Sequence, residues 1–355
     1  MSVPDFKPMA WAIRSMRRSF CTDSATALNV TTALHPAKGW VTVYGCASAA
    51  DPVPATSTVN FPANVNIANS AIVAPGDGGG VCVRASVATH LVLDLTGWFA
   101  GGFQRLAEPQ RVVDTRAGQI GAVEEPGWYP GEDISAPLVP DEPLVVSYGG
   151  RDGIPGAKAL AVNLTVVNAP AGGYATVYPC SGSGDTPPTS STLNFTAGAT
   201  VANGTIVDPT NTGLICVVSN RAVDVIVDVT GYFEHAISGA YPFRLLDTRP
   251  GQQGSSEATD IEVPVAAGST LFVPAYPYGW AGVALNVVAV NPAADGYLTV
   301  WACAAPTDPR PTTSTVNFRT GVNVANGVLV AGGAGYCVYA SASTHVIVDQ
   351  AADTD

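Results

Sequence analysis

Six of the seven cysteines are the side chains whose type and spacing most directly indicate chemistry. They occupy matching places in three copies of one pattern, as the pairs Cys46 and Cys82, Cys180 and Cys216, and Cys303 and Cys337. The separations of 36, 36 and 34 residues predict one disulfide bond within each copy, worth roughly 3–4 kcal/mol for a loop of this length. Six buried free thiols are the alternative, since cysteine packs as a small hydrophobe.

A metal centre is not expected from these cysteines. The sequence contains no CxxC spacing, and its four histidines do not cluster with the cysteines, so a zinc site is disfavoured. No cofactor is predicted either. Cys21 has no counterpart in the other copies and is either a free thiol or a cross-link to another chain.

An Asp-Thr-Arg motif occurs twice, as Asp114 to Arg116 and Asp247 to Arg249. An arginine beside an aspartate is suited to gripping a carboxylate or phosphate with two parallel hydrogen bonds. We favour a structural interpretation, in which the aspartate accepts backbone N–H groups and the arginine ties neighbouring strands, because a motif that recurs in each unit is better explained by building the unit.

Paired aromatic residues recur on one strand of every copy. The pairs are Trp40 with Tyr44, Tyr174 with Tyr178, and Tyr297 with Trp301. Within each pair both rings lie on the strand face opposite the valines, so the rings are solvent-facing if the valines form the core. Exposed aromatic strips stack on sugar rings, so the six residues are a predicted carbohydrate-binding site. Packing against a second sheet or a neighbouring domain is the alternative.

Enzymatic motifs are missing from the sequence. There is no GxSxG nucleophile elbow, no Walker loop, no HExxH and no EF-hand pattern. His90 and His345 are equivalent, but the middle copy has Asp224 at that position. A catalytic base is not expected to alternate in this way between nearly identical repeats. We therefore expect a protein that is not an enzyme.

The elements that carry these residues are three repeats. Each contains an LNVT-like block, a GYxTVYPC-like block, an STxNF block and a VANG-like block, the last of which we expect to form a turn. Period-2 alternation and frequent glycine and proline, 37 and 28 residues, predict tandem antiparallel β-sandwich or barrel-like domains with short turns. Asn29, Asn163 and Asn286 lie in apolar strands, where we expect them to bind a bulged strand or turn.

Three domains follow from the spacing of the repeats: residues 1–101, 102–236 and 237–355. A complete unit begins at the Asp-Thr-Arg segment and ends at a DVTGYF-like strand. The first copy then lacks its first half, and the third stops just short of the last strand residues. Open strand edges are therefore expected at both ends of the chain, and they can pair with other chains by strand addition.

The combined motifs, LNVT, GYxTVYPC, STLNF, TVANG, DVTGYF and RLLDTRPG, resemble a tandem β-repeat of secreted and surface-exposed actinobacterial proteins. The resemblance covers most of residues 26–350. It implies exposure outside the cell and a structural or adhesive role, and it carries no catalytic residues. This chain lacks the attached enzyme domain and the signal peptide that usually accompany the repeat.

The composition limits the partners and the compartment. A net charge of −12 disfavours a nucleic-acid partner. The sequence contains no stretch of 18 apolar residues that could span a membrane. Disulfides imply an oxidising space, although the N-terminus has no recognisable signal peptide. Residues 8–19 could form a short basic helix, and residues 7–18 are a predicted anchor to a larger assembly.

These observations predict a non-catalytic extracellular protein with a structural or adhesive role. A virion fibre, spike or decoration component fits the missing signal best, and a cell-surface assembly is also consistent. The alternative is a lectin-like module that binds cell-envelope polysaccharide through the aromatic pairs. Other protein chains are the expected partners, in a homo-oligomer or larger assembly formed through the incomplete end repeats and residues 7–18.

Overall fold

The structure is a computed structural model in which every regular element is a β-strand. It describes residues 10–13, 25–76, 80–99, 102–119, 136–147, 158–209, 212–234, 237–238, 242–252, 261–274 and 282–354. Within these ranges no helix is long and apolar enough to cross a membrane. The chain is therefore an all-β protein, as the period-2 alternation predicted.

The first repeat forms two sheets. Its strands are β1 (Ala10–Ile13), β2 (Ala25–Ala33), β3 (Gly39–Cys46), β4 (Val59–Phe61), β5 (Ile67–Val73), β6 (Gly80–Ala85) and β7 (His90–Phe99). One sheet has the order β1-β6-β3-β4 and the other the order β5-β2-β7, with antiparallel pairing throughout. Valines at positions 30, 41 and 83 pack between them in one core cluster.

The second repeat has the same plan with one more strand. It contains β8 (Phe103–Asp114), β9 (Leu144–Ser147), β10 (Ala159–Val167), β11 (Gly173–Pro179), β12 (Leu193–Phe195), β13 (Val201–Val207), β14 (Leu214–Ser219) and β15 (Asp224–Phe233). The sheets are β13-β10-β15-β8 and β12-β11-β14-β9. The extra strand β8 ends in the first Asp-Thr-Arg motif and lies beside β15.

The third repeat repeats this arrangement. Its strands are β16 (Ile237–Ser238), β17 (Phe243–Asp247), β18 (Ser269–Pro274), β19 (Gly282–Val290), β20 (Gly296–Cys303), β21 (Val316–Phe318), β22 (Val324–Ala331), β23 (Gly335–Ala340) and β24 (His345–Thr354). One sheet has the order β24-β19-β22 with β16 and β17 both on β24, and the other has the order β18-β23-β20-β21.

Three expectations about local structure are wrong. The VANG-like blocks are strands β5, β13 and β22 rather than turns, because their backbones pair with the LNVT strands. In the segment expected to be a basic helix, residues 10–13 form β1 on β6, and the rest of residues 1–24 lies outside the described residues. The last strand has no open edge, since β24 pairs with β19 on one side and with β16 and β17 on the other.

The three repeats form a closed ring rather than a linear array. Strands β5, β13 and β22 contact one another in all three pairings, around an approximate threefold axis. Beside them lies a shared apolar cluster with members from every repeat, including Ala25, Phe103, Phe233 and Ala352. Each repeat keeps its own core as well, so the ring consists of three sandwiches joined by a fourth, central cluster.

Candidate functional site

The centre of the ring is the first site where repeated polar residues meet. Asn69 on β5, Asn203 on β13 and Asn326 on β22 are each at most 1% exposed. Each lies in an otherwise apolar or small-residue strand at the same register position. Buried side-chain amides require partners. Here one partner is a carbonyl oxygen of the same repeat, on Thr58, Thr192 or Thr315, and the others come from the next repeat around the ring.

The hydrogen bonds follow one direction around the ring. Asn69 Nδ2 donates to Asn163 Oδ1 at 3.1 Å, Asn203 Nδ2 to Asn286 Oδ1 at 3.0 Å, and Asn326 Nδ2 to Asn29 Oδ1 at 2.8 Å. The Oδ1 atom of each donor asparagine in turn accepts a backbone N–H from that same neighbouring repeat. These N–H groups belong to Gly204 (2.8 Å), Gly327 (3.0 Å) and Ser70 (2.8 Å).

The Ser/Thr-rich blocks complete the network. The amides of Asn29, Asn163 and Asn286 donate to the carbonyl oxygens of Ser314, Ser57 and Ser191, each in another repeat. The expected bonding of these three asparagines to a bulge or turn is therefore wrong, because they bind across the ring. The repeated LNVT, STxNF and VANG motifs are thus interface motifs.

Close packing at the axis depends on small residues. A Cβ atom on Gly204 would lie 2.3 Å from the carbonyl oxygen of Ser70, and one on Gly327 would lie 2.5 Å from that of Gly204. Both are backbone contacts that a side chain cannot relieve by rotating. The glycines of the VANG motif therefore permit the strands to approach, which a turn interpretation of the motif misses.

The Asp-Thr-Arg motifs form compact ion clusters. The guanidinium of Arg116 contacts Asp114 at 2.6 Å, and Arg111 bridges Asp114 (3.2 Å) and Asp228 (2.9 Å). The third repeat has the same cluster, with Arg249 on Asp247 at 2.6 Å and Arg244 bridging Asp247 and Asp349, both at 3.0 Å. Sequence analysis identified the four motif residues but not Arg111 and Arg244.

The environment of each carboxylate sets its pKa. Burial alone would raise the pKa of Asp114 and Asp247, but hydrogen bonds from Arg116 and Arg249 outweigh it and hold both below the ordinary value. Burial dominates at Asp228 and raises its pKa despite Arg111. At Asp349 burial raises the pKa to about 6. Both motif arginines are therefore engaged by aspartates of the same repeat, which supports the structural interpretation.

The predicted aromatic pairs separate into two environments. The second aromatic residue of each pair is buried in every repeat: Tyr44 is 5% exposed, Tyr178 0% and Trp301 9%. Each packs against the disulfide of its repeat, which is Cys46–Cys82, Cys180–Cys216 or Cys303–Cys337. The prediction that these three residues are solvent-facing is wrong, and the predicted cysteine pairs are bonded.

The aromatic residue at the start of each strand remains accessible. Trp40 is 37% exposed and Tyr174 is 38% exposed. Tyr297 is half-buried, with its ring 6.0 Å from that of Tyr339, and Arg310 lies 3.6 Å over the Tyr339 ring. One aromatic side chain per repeat, rather than a pair, is thus available to a ligand. Among the described residues no group of three or more His, Cys, Asp or Glu side chains is arranged to hold a metal ion.

A cavity of about 390 Å³ opens beside the ring interface. Its lining includes Tyr44, Asp51 and Ser57 of the first repeat, Asn163 and Asp228 of the second, and also residues of the third. It adjoins the hydrogen bonds that join the first two repeats.

Comparison with known proteins assigns no family. No family model matches the sequence, and no curated protein matches it. Two solved structures each match 99% of this chain and 84% of their own chain, at 10% identity and a TM-score of 0.23. They come from work on a triple jelly-roll fold and turret assembly in an archaeal virus, and on Sulfolobus turreted icosahedral virus.

A third solved structure is the tandem CBM22-1–CBM22-2 domain of Paenibacillus barcinonensis Xyn10C. It matches 57% of this chain and 81% of its own, at 14% identity and a TM-score of 0.18. Scores this low carry no argument about what this chain does.

Proposed function

We propose that this protein is a non-catalytic structural or adhesive component that is displayed outside the cell, in a virion or in a cell-surface assembly. The observation that carries this proposal is the use of the repeated motifs. The asparagines and serines that recur in three copies, with Gly204 and Gly327 in two of them, bind the copies to each other in a closed body. Repeated polar residues that hold the chain's own repeats together favour a structural role.

The three disulfides support display in an oxidising space. Cys46, Cys82, Cys180, Cys216, Cys303 and Cys337 are all bonded in pairs, and structural disulfides of this kind persist mainly outside the cytosol. The clusters around Asp114 and Asp247 add rigidity to two of the three sandwiches.

The location can be tested by trapping thiols in the source organism. Intact cells, culture medium and any released virus particles are treated with a membrane-impermeant maleimide before and after reduction. We expect the protein on the cell surface, in the medium or in the particles, with six thiols that react only after reduction. Recovery only from inside intact cells, with the thiols already reduced, would overturn the proposal. A cytosolic thiol protein serves as the control for leakage.

Carbohydrate binding is the second candidate function, in a narrower form. The specific observation is that Trp40 and Tyr174 stay exposed at equivalent positions of neighbouring sandwiches. A glycan array tests it with the variant Trp40→Ala/Tyr174→Ala beside the control Val139→Ala, which removes an exposed apolar side chain elsewhere. Loss of binding only in the aromatic variant supports a lectin-like module. Binding that survives in both variants, or no glycan binding by the unmodified protein, rejects it.

A further inference from the structure

Among the strands that the structure describes, none lies beside the outer edge of β7 in the first repeat. In the part of the chain that the structure describes, the first repeat's sheet ends at β7, in the order β5-β2-β7. The equivalent strands of the other repeats are covered, β15 by β8 and β24 by β16 and β17. The chain thus contains two examples of the covered edge and one of the open edge.

Side chains on β7 are exposed where their equivalents are buried. Val92 and Leu95 are each 48% exposed, whereas Ile226 and Val229, at the matching positions of β15, are 7% and 0% exposed. Trp98 on the same strand is 63% exposed. The difference follows from β8, whose Val112 and Val113 belong to the core that buries Val229. The edge of β7 is therefore an apolar surface that no other described strand covers.

Among the described residues, no arginine is paired with Asp94 on β7 as one is with each of its equivalents. Asp228 receives Arg111 at 2.9 Å and Asp349 receives Arg244 at 3.0 Å, from the strand that covers the edge. The Oδ2 atom of Asp94 is buried and has no hydrogen-bond partner among the described residues. Oδ2 of Asp349 has none either, but Oδ1 of Asp349 accepts from Arg244. Burial raises the pKa of Asp94, and a hydrogen bond with Asn29 only partly offsets it. A carboxylate in this setting is stabilised by a cation, as its two equivalents are.

We propose that the edge of β7 is a docking site for an extended segment of another polypeptide with the sequence Arg-x-aliphatic-Asp-Thr-Arg. The two covered edges define its register. In both, the first arginine lies opposite the aspartate of the host strand, Arg111 opposite Asp228 and Arg244 opposite Asp349. The docked arginine then pairs with Asp94, the aliphatic residue lies opposite Leu93, and the docked aspartate lies opposite Val92.

The threonine of the segment has a partner ready on β7. Thr248 contacts Nδ1 of His345, and Thr115 donates to Asp224 at 3.1 Å, at the first residue of each host strand. His90 holds that position on β7 and is exposed. The alternation of histidine and aspartate at this position, which argued against catalysis, is consistent with a partner for threonine.

A second copy of this chain does not fit the edge. Both of its Asp-Thr-Arg strands are already paired within the chain. Among the described strands of a second copy, β7 is the one whose equivalent edge is uncovered, and it carries an aspartate and no arginine or lysine. The net charge of −12 further opposes self-association. Charge complementarity therefore selects a foreign segment that brings an arginine. This inference does not depend on where the protein is displayed.

Peptide binding to the intact, non-reduced protein tests the proposal. The probe is an N-acetylated, fluorescently labelled peptide with the sequence of residues 242–252, PFRLLDTRPGQ. We expect saturable binding at one site by fluorescence anisotropy. Binding should quench or shift the emission of Trp98, a change that Trp98→Phe removes. A peptide carrying Arg244→Gln is expected to bind at least tenfold more weakly.

Variants of the protein distinguish docking at β7 from adhesion elsewhere. Asp94→Asn is expected to weaken binding at least tenfold, while Glu142→Gln, which removes an exposed carboxylate on another repeat, leaves it unchanged. Thermal unfolding of each variant checks that it is folded. No binding at millimolar peptide, or equal binding by Asp94→Asn and the unmodified protein, overturns the proposal. A dimer in light scattering that Leu95→Lys dissociates would also overturn it, because a second copy would then occupy the edge.

Discussion

Asn69 donates its side-chain amide to the side-chain carbonyl of Asn163 at 3.1 Å, although the two residues lie 94 positions apart and in different sandwiches. Both are buried, with exposures of 0% and 7%. The same relationship joins Asn203 to Asn286 and Asn326 to Asn29. Since each bond links one repeat to the next, three of them close the ring. Losing one should therefore lower the stability of the whole molecule.

Asn203→Ala is expected to lower the free energy of unfolding by about 3 kcal/mol or more. Asn203 donates to the carbonyl oxygen of Thr192 at 2.7 Å and to Asn286, and it accepts the N–H of Gly327. Alanine leaves all three of these buried groups without that partner. Urea unfolding of the non-reduced protein measures the change.

The control for this variant is Asn194→Ala. Asn194 donates to the side chain of Ser191, three residues away in the same repeat, and is only partly buried. Its loss is expected to cost about 1 kcal/mol or less. Equal destabilisation by the two variants would mean that the bond across the ring contributes nothing beyond a local contact.

Gly327→Ala is expected to open or strain the ring at its axis. The added Cβ atom would lie 2.5 Å from the carbonyl oxygen of Gly204, so the strands must separate. We expect a loss of about 2 kcal/mol or more in unfolding free energy and a larger radius of gyration by small-angle X-ray scattering. Gly182→Ala is the matched control, because nothing lies within 4 Å of its added Cβ atom. An unchanged radius together with unchanged stability in Gly327→Ala would contradict close packing at the axis.

The sequence was sufficient to predict the sandwiches and their bridges. Period-2 alternation such as Val225, Val227 and Val229 identifies a strand, and those three residues are all fully buried. The pairing of Cys180 with Cys216 followed from equal spacing. Both signals depend on contacts within one repeat, which local patterns can report.

The ring could not be predicted, because its contacts join residues that no local pattern connects. Asn203 lies in a VANG block that reads as a turn, although Asn and Gly there serve close approach between strands. Alternation places Tyr178 on a surface because it indicates the face of a strand but not what covers that face. The disulfide and Val218 cover it, and the positions of these residues depend on the tertiary fold.

Tyr178→Ala is expected to destabilise the protein by about 3–5 kcal/mol, whereas Tyr174→Ala costs about 1 kcal/mol or less. The two tyrosines lie on the same strand face, but Tyr178 is 0% exposed against the disulfide and Tyr174 is 38% exposed. Thermal unfolding of both variants measures the difference. Similar melting temperatures would show that packing on the disulfide contributes little to stability.

In the unmodified protein, the free energy of unfolding is expected to fall as pH rises from about 4 to 6. Asp349→Asn is expected to abolish this fall. Burial raises the pKa of Asp349 to about 6, above the ordinary 3.8 of an unfolded chain. Between these values the folded protein binds a proton that the unfolded chain has released, so the free energy of unfolding falls as pH rises. A shift of this size corresponds to at most about 3 kcal/mol at pH 7.5.

Urea unfolding at several pH values between 4.5 and 7.5 tests this expectation. Asparagine keeps an oxygen that can accept from Arg244, and Arg244 also retains Asp247 at 3.0 Å, so the variant should fold. Asp295→Asn is the control, because hydrogen bonds from Thr320 lower the pKa of that exposed carboxyl and it stays ionised in both states across the window. If Asp349→Asn keeps the slope of the unmodified protein, the buried carboxylate is stabilised by Arg244 more than burial destabilises it.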